Sequence, residues 1–216
     1  MFKKFTILLA CSIFLLVVLA FIKLRIVPTF GKDPNNLNGA ITIAVDGRGI
    51  LQVVAFLDGK KCPGEFYEES RDLLKYWMQT QFFSNGPHKM VIVSKVPGFN
   101  IPISQSSVNV VFNNEVSSIT IDKGYAPGED LHFSALSSSS LASYTVEVND
   151  FFDENARVYE KSFTGDINAV IPAEAFSTDN QNYKLLVKDS SGNVKFEEVI
   201  ARDYDKWVKW EKSQKQ

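Results

Sequence analysis

From Ile119 onward the chain reads as a series of short stretches in which every second residue is apolar. Ile119 and Ile121 come first, then Leu131, Phe133 and Ala135, then Tyr144, Val146 and Val148, and further on Tyr183, Leu185 and Val187. Side chains of a strand point alternately to opposite faces, so a period of two buries one face of a sheet and leaves the other in water. Turn residues separate the stretches: Pro127-Gly128 between Ile121 and Leu131, and DSSGN, Asp189 to Asn193, ahead of Val194 and Phe196. Pro127 pre-sets φ, and Gly128 supplies the positive φ of a type II turn. Nearer the N-terminus the same signature returns. Ile41, Ile43 and Val45 lead to the turn pair Asp46-Gly47, Ile50 to Leu57 answers, and Val108, Val110 and Phe112 alternate with Asn109, Val111 and Asn113. Short strands at near-regular spacing predict an all-β chain of antiparallel sandwiches.

One stretch departs from this pattern. In EFYEESRDLLKYWMQTQFF, Glu65 to Phe83, residues Tyr67, Leu73, Leu74 and Trp77 share a helical face and acids crowd the first turn. The stretch predicts one or two helical turns at most, with the Trp77 region extended. The halves divide near Asn113-Asn114-Glu115, giving a first domain over 39–114 and a second over 115–202. The last segment, 203–216, reads as a short polar helix carrying Tyr204, Trp207, Val208 and Trp210.

Ahead of the domains, Phe5 to Ile22 carries no charge and is flanked by Lys3, Lys4, Lys23 and Arg25. As a helix it spans about 27 Å, enough to cross a hydrocarbon core. The apolar run continues to its end without a polar cleavage region, which favours an uncleaved signal-anchor over 1–25. Two alternatives stay open: a cleaved signal peptide with Val18 and Ala20 at the small-residue positions, and a lipoprotein signal ending at Leu8-Leu9-Ala10-Cys11. The first two export the rest of the chain, to the outer face of the membrane or into the medium. IVPTFGKDPNNLNG, within which 26–38 is the linker, is rich in Pro, Gly and Asn and predicts a short spacer.

Beyond Arg25 the chain has 19 basic and 25 acidic residues, a net charge of −6. A nucleic-acid binder clusters Lys and Arg on one face, and no such cluster is present. Cys11 falls inside the apolar segment, so Cys62 has no intramolecular disulfide partner outside it.

The order VDG (Val45 to Gly47), Trp77 with Thr80, Asn85-Gly86, His88, the apolar strand Met90 to Val93, then Pro97-Gly98-Phe99-Asn100 and SSVNVVFNN (Ser106 to Asn114) resembles a bacterial immunoglobulin-like domain. It departs from that pattern where Phe99 interrupts the usual Gly-Asn pair and where Lys95-Val96-Pro97 stands in place of an Asp before the turn. In the second half ITIDKGYAPGEDLHFSA, Ile119 to Ala135, resembles the opening of macroglobulin-type and related immunoglobulin-like domains. The resemblance implies two tandem immunoglobulin-like β-sandwiches, which would follow the expected N-terminal transmembrane helix and precede the expected short C-terminal helix. That architecture hosts many ligands and names none.

Chemistry-bearing residues are sparse. His88 opens a strand after Asn85-Gly86-Pro87, and His132 lies opposite Leu131 and Phe133 in the other domain, so neither has convergent partners for catalysis. Asp150, Asp153 and Glu154 in NDFFDENA lack the spacing of an EF-hand, and a solvated turn is the simpler reading. Ser137 to Ser140 reads as a flexible loop. No catalytic residue, metal site or cofactor is expected. The chain is expected to be a non-enzymatic, membrane-anchored scaffold or binding protein that contacts another envelope or surface protein. Tyr204, Trp207 and Trp210 are its candidate contact residues, although two tryptophans this close also suit docking on the neighbouring sandwich. The alternative is a surface carbohydrate-binding module using Tyr67, Tyr76 and Trp77; a small hydrolase is the remotest reading.

Overall fold

The protein is described by a computed structural model over residues 27–46, 52–64, 66–70, 73–98, 101–153, 156–177 and 180–214. The segment Phe5–Ile22, and with it the expected membrane helix, lies outside these residues. Among the described residues no helix is long and apolar enough to cross a membrane. Two compact units form: one of the residues up to Gln79 with Gly86–Phe112, the other of Thr80–Asn85 with Asn113–Gln216.

The first unit has eight strands: β1 Val27–Phe30, β2 Ala40–Asp46, β3 Gln52–Leu57, β4 Lys60–Lys61, β5 Tyr67–Ser70, β6 Leu73–Gln79, β7 Gly86–Lys95 and β8 Pro102–Phe112. They form two antiparallel sheets, ordered β1-β2-β6-β5 and β4-β3-β7-β8. Lettered in chain order, with C′ for the short β4, these are A-B-E-D and C′-C-F-G. Pairing ABED with CFG is the strand order of a constant-type immunoglobulin sandwich, here with C′ added. The inward residues are those the alternation marks: Ile41, Ile43 and Val45 meet Val53, Ala55 and Leu57, with Met90, Ile92, Val110 and Phe112 completing the core.

The second unit has seven strands: β9 Val116–Ile121, β10 Leu131–Ser137, β11 Ser143–Asp150, β12 Arg157–Thr164, β13 Ile167–Ile171, β14 Asn182–Asp189 and β15 Val194–Ala201. Its sheets run β9-β10-β13 and β12-β11-β14-β15, or A-B-E and C′-C-F-G. Leu131, Phe133, Val146, Val148, Ile171, Tyr183, Leu185 and Val187 fill its core. Tyr183 opens β14 and its hydroxyl accepts a bond from the Ser177 amide at 2.6 Å, the tyrosine corner typical of strand F. Its ring lies edge-on to Tyr125 and Phe176, which stack on each other at 4.8 Å. The turns follow their sequence signals. Gly128 has φ +74°, and the Glu129 amide bonds Ala126 across Pro127-Gly128.

In both units the segment between the first and second strands is clasped in parallel to the end of the last strand or the residue just after it. In the first, Leu37 N–H donates to Val111 O and Val111 N–H to Pro34 O, each at 2.8 Å. In the second, Tyr125 N–H donates to Ala201 O at 3.2 Å and Asp203 N–H to Tyr125 O at 2.9 Å. Gly124 makes this approach feasible, since a Cβ there would stand 2.5 Å from Ala201 O.

Two sequence expectations are corrected. No helical turn forms within the described part of 65–83 ahead of Thr80; β5 and β6 are strands. The helical stripe of Tyr67, Leu73, Leu74 and Trp77 loses to the period-two set Leu74, Tyr76 and Met78, which lie at 5, 3 and 4 % exposure against the core. The linker expected over 26–38 is also partly structural. Val27–Phe30 pairs with β2, and Leu37 is fully buried.

Candidate binding surfaces

The C-terminal helix α1, Tyr204–Gln214, starts at Asp203, whose carboxylate accepts from the Lys206 amide at 3.2 Å. That cap is fixed in turn by the bond from Asp203 to Tyr125. One turn in, Trp207 packs against the second core. The Arg202 guanidinium lies 3.6 Å from its ring centre, and the Trp210 ring sits 5.6 Å away. Arg202 also donates to Asn180 O at 2.7 Å, the same carbonyl that receives the Tyr125 hydroxyl. Lys206 reaches Glu129 at 2.7 Å. Of the three tail aromatics, Trp207 and Trp210 are half-buried and Tyr204 is 74 % exposed. The structure therefore separates residues that sequence alone grouped: Trp207 fastens the helix, and Tyr204 faces water.

The sheet β1-β2-β6-β5 presents a second aromatic surface. Trp77 is 55 % and Tyr67 52 % exposed. Tyr67 stands opposite Lys75 and Trp77 opposite Thr42, so both rings share the outer face, beside the Lys75–Glu69 ion pair at 2.7 Å. Tyr76 does not belong with them. Adjacent strand residues face opposite ways, and Tyr76 points into the sandwich at 3 % exposure, its hydroxyl donating to Pro63 O. Burial pushes that hydroxyl up to about 12. Tyr76 lines a cavity of about 420 Å³ with Val53, Ala55, Cys62, Phe66 and Leu74. Cys62 is a free thiol, and desolvation raises it to about 11.

Both histidines are held by aspartates at strand ends. Asp58 Oδ2 lies 2.6 Å from His88 Nδ1, and Asp122 Oδ2 lies 3.1 Å from His132 Nδ1. Each carboxylate also accepts a backbone amide of β7 or β10, from Lys89 and His132 respectively. The pairs are in different units. In the 150–153 loop, Asp150 Oδ1 accepts from the Phe152 and Asp153 amides, and Oδ2 receives the Asn180 side chain. Those oxygens close a turn. Among the described residues no group of His, Cys, Asp and Glu is gathered that would hold a metal ion. The same loop exposes Phe152 at 84 %, set edge-on to Phe151, a feature the apolar letters of NDFFDENA allow but do not announce.

No family model matches the chain, and no curated protein matches it. Solved structures similar to it include immunoglobulin- and fibronectin-type domain proteins. A putative membrane anchored protein from Corynebacterium diphtheriae aligns at 8 % identity and a TM-score of 0.34, over 82 % of this chain and 57 % of that one. The chicken CNTN1 FN1–FN3 domains align at 10 % identity and 0.28, over 78 % and 62 %. Titin immunoglobulin tandem domains align at 11 % identity and 0.29, over 81 % and 95 %. The chain thus spans less than two thirds of the first two. At such scores the strand order given above, and not the likeness, defines the fold.

Proposed function

We propose that this chain is a non-catalytic scaffold or binding protein of the cell envelope. It is held in the membrane through Phe5–Ile22, displays its two sandwiches outside the cytoplasm, and contacts another envelope or surface protein. The supporting observation is the pinned helix α1. Trp207, Arg202 and the Lys206–Glu129 pair hold its backbone, while Tyr204 projects at 74 % exposure. An exposed aromatic on a fixed backbone has little freedom left to lose on binding, which is why such residues recur at interface hot spots. The test is brief in-cell crosslinking and pull-down of the tagged full chain from gently solubilised membranes, comparing wild type with Tyr204→Ala. One near-stoichiometric partner that disappears with Tyr204→Ala supports the reading. An empty pull-down, or a partner retained undiminished by the variant, sinks it.

One observation favours a second reading, a surface carbohydrate-binding module. Trp77 and Tyr67 are both more than half exposed on one sheet face, where flat rings offer a stacking surface for the C–H face of a sugar. Thr42 and the Lys75–Glu69 pair supply hydrogen-bonding groups beside them. Binding on a glycan array that vanishes with Trp77→Ala would carry this reading; an array without signal would remove it.

A further inference from the structure

We propose that the outer edge of β8 is a self-association surface, on which a second copy of this chain lays its own β8 antiparallel. Part of the β8 backbone is already in use. Val111 turns both its N–H and its C=O away from β7, toward Pro34 and Leu37. Edge alternation then assigns Phe112, Val110, Val108, Ser106 and Ser104 to the ladder with β7. Gln105, Ser107 and Asn109 are left turned outward, and before them the ladder shifts register at Ile103. β8 ends its sheet, and among the described residues no strand lies beyond it.

Such an edge is a template for another strand, and proteins usually blunt it with charge, proline or brevity. The other edges of this molecule are blunted. β4 is two lysines, β5 carries Glu68 and Glu69, β12 carries Arg157, Glu160 and Lys161, and β15 carries Lys195, Glu197 and Glu198. β1 is four residues long and contains Pro28. β9 and β13 are uncharged but span only six and five residues, β9 broken by a positive φ at Ser118 and β13 stopped by Pro172. β8 runs for 11 residues inside an uncharged stretch from Ile101 to Asn114. Pro102 and the register shift at Ile103 blunt only its first residues, and it is the long edge left without charge.

The absence of charge also selects the occupant. Two-fold pairing sets each residue opposite one from the same strand, which on β5 or β15 would bring like charges together. β8 escapes that cost, and it has no charge with which to choose a foreign strand. The clasp at Val111 fixes the register as well. The free regular stretch, 105–109, is centred on Ser107, so the longest self-pairing places Gln105 opposite Asn109 and Ser107 opposite its own copy. Ser107 faces its copy as a hydrogen-bonded pair, with Cα atoms about 5.5 Å apart. That spacing accepts a disulfide. This surface is separate from the contact made through Tyr204.

The test uses the full chain in mild detergent. Sedimentation velocity should show a concentration-dependent dimer for wild type. Ser107→Pro removes one outward N–H without touching the ladder to β7, and should weaken the dimer at least tenfold while far-UV circular dichroism stays unchanged. If Ser107→Pro fails to fold, Ser107→Lys replaces it, since two lysines would then crowd the same interface. Ser107→Cys should give a covalent dimer on mild oxidation, where wild type (Cys11 and Cys62 only) and Ser162→Cys on the β12 edge do not. A wild type that stays monomeric overturns the proposal. So does a dimer indifferent to Ser107→Pro and Ser107→Lys, or one that leaves Ser107→Cys no more crosslinked than Ser162→Cys.

Discussion

The carboxylate of Asp58 holds His88 from a backbone conformation that few residues adopt. Asp58 has φ +49° at the β3–β4 turn, places Oδ2 2.6 Å from His88 Nδ1, and accepts the Lys89 amide on Oδ1 at 2.9 Å. Aspartate and asparagine visit that left-handed region more readily than other residues with a Cβ, because their short polar side chains bond locally. Asp58→Asn should therefore keep the turn and the Lys89 bond. Asp58→Ala should lose the turn preference and both bonds. The side chain is half exposed, so solvent screening limits the charge contribution to about 0.5 kcal/mol. Chemical denaturation should rank wild type, Asn variant and Ala variant in falling order, and an Ala variant as stable as wild type would refute the assignment.

The same pair sets a pH response. The His88 bond, then the Lys89 amide, holds the Asp58 carboxyl below the usual carboxylate range. Asp122 is held low in the same sense, first by the His132 amide. A carboxylate depressed in the folded state adds stability above its unfolded pKa, near 4, and that stability is lost as pH falls through the folded value. Urea midpoints should therefore drop below about pH 4, and Asp58→Asn should flatten some of that decline. An unchanged slope in the variant would mean that other carboxylates dominate.

Trp207→Ala should cost about 2 kcal/mol, because it removes a half-buried ring and the Arg202 contact stacked on it. Tyr204→Ala should leave the melting temperature of the second unit nearly unchanged. Calorimetry on the two variants separates the residue that fastens α1 from the one it displays. Equal losses would show that both are structural.

Gly124→Ala would drive a Cβ to within 2.5 Å of Ala201 O and 3.0 Å of Asp203 N. Backbone atoms cannot step aside as a flexible side chain can, so the clasp must open, at a cost of about 2 kcal/mol. Hydrogen exchange at the Tyr125 and Asp203 amides should quicken. Protection equal to wild type would contradict the close approach.

Cys62 should be silent to thiol reagents in the folded protein. With its thiol near 11, about one molecule in a thousand carries the thiolate at pH 8. The side chain is also buried. Labelling should follow unfolding in denaturant, and fast native-state labelling would place the thiol in solvent.

Much of this was legible in the sequence. Leu131, Phe133, Tyr144, Val146, Val148, Tyr183, Leu185 and Val187 are the core residues that period-two reading selects, because a sheet buried on one face leaves no other solution. Pro127-Gly128 acts locally and could be read locally. What depends on distant partners could not. Tyr76 and Trp77 are neighbours of similar character, and which one enters the core is decided by β2 and β5 on either side of β6. The 65–83 segment looked helical because Leu73-Leu74 and the early acids fit a helix, while the seven-residue ladder that competes with it is made to β2, outside the segment. Asn85 and Asn114 illustrate the same limit. The Asn114 amide donates to the Asn85 side chain and the Asn85 side chain to Asn114 O, each at 2.8 Å, so a side chain does the work of a strand backbone. The turn signal at Asn85-Gly86 carries no hint of it.

The two parallel clasps have a mechanical consequence. In each sandwich the segment between the first two strands and the outgoing end of the unit run in the same direction. Tension pulling the two ends of either unit apart would slide these segments past each other lengthwise. The bonds of Val111 with Pro34 and Leu37, or of Tyr125 with Ala201 and Asp203, would then carry the load together instead of breaking in succession. Under traction each sandwich is gripped where the link between its first two strands meets the end of its last strand.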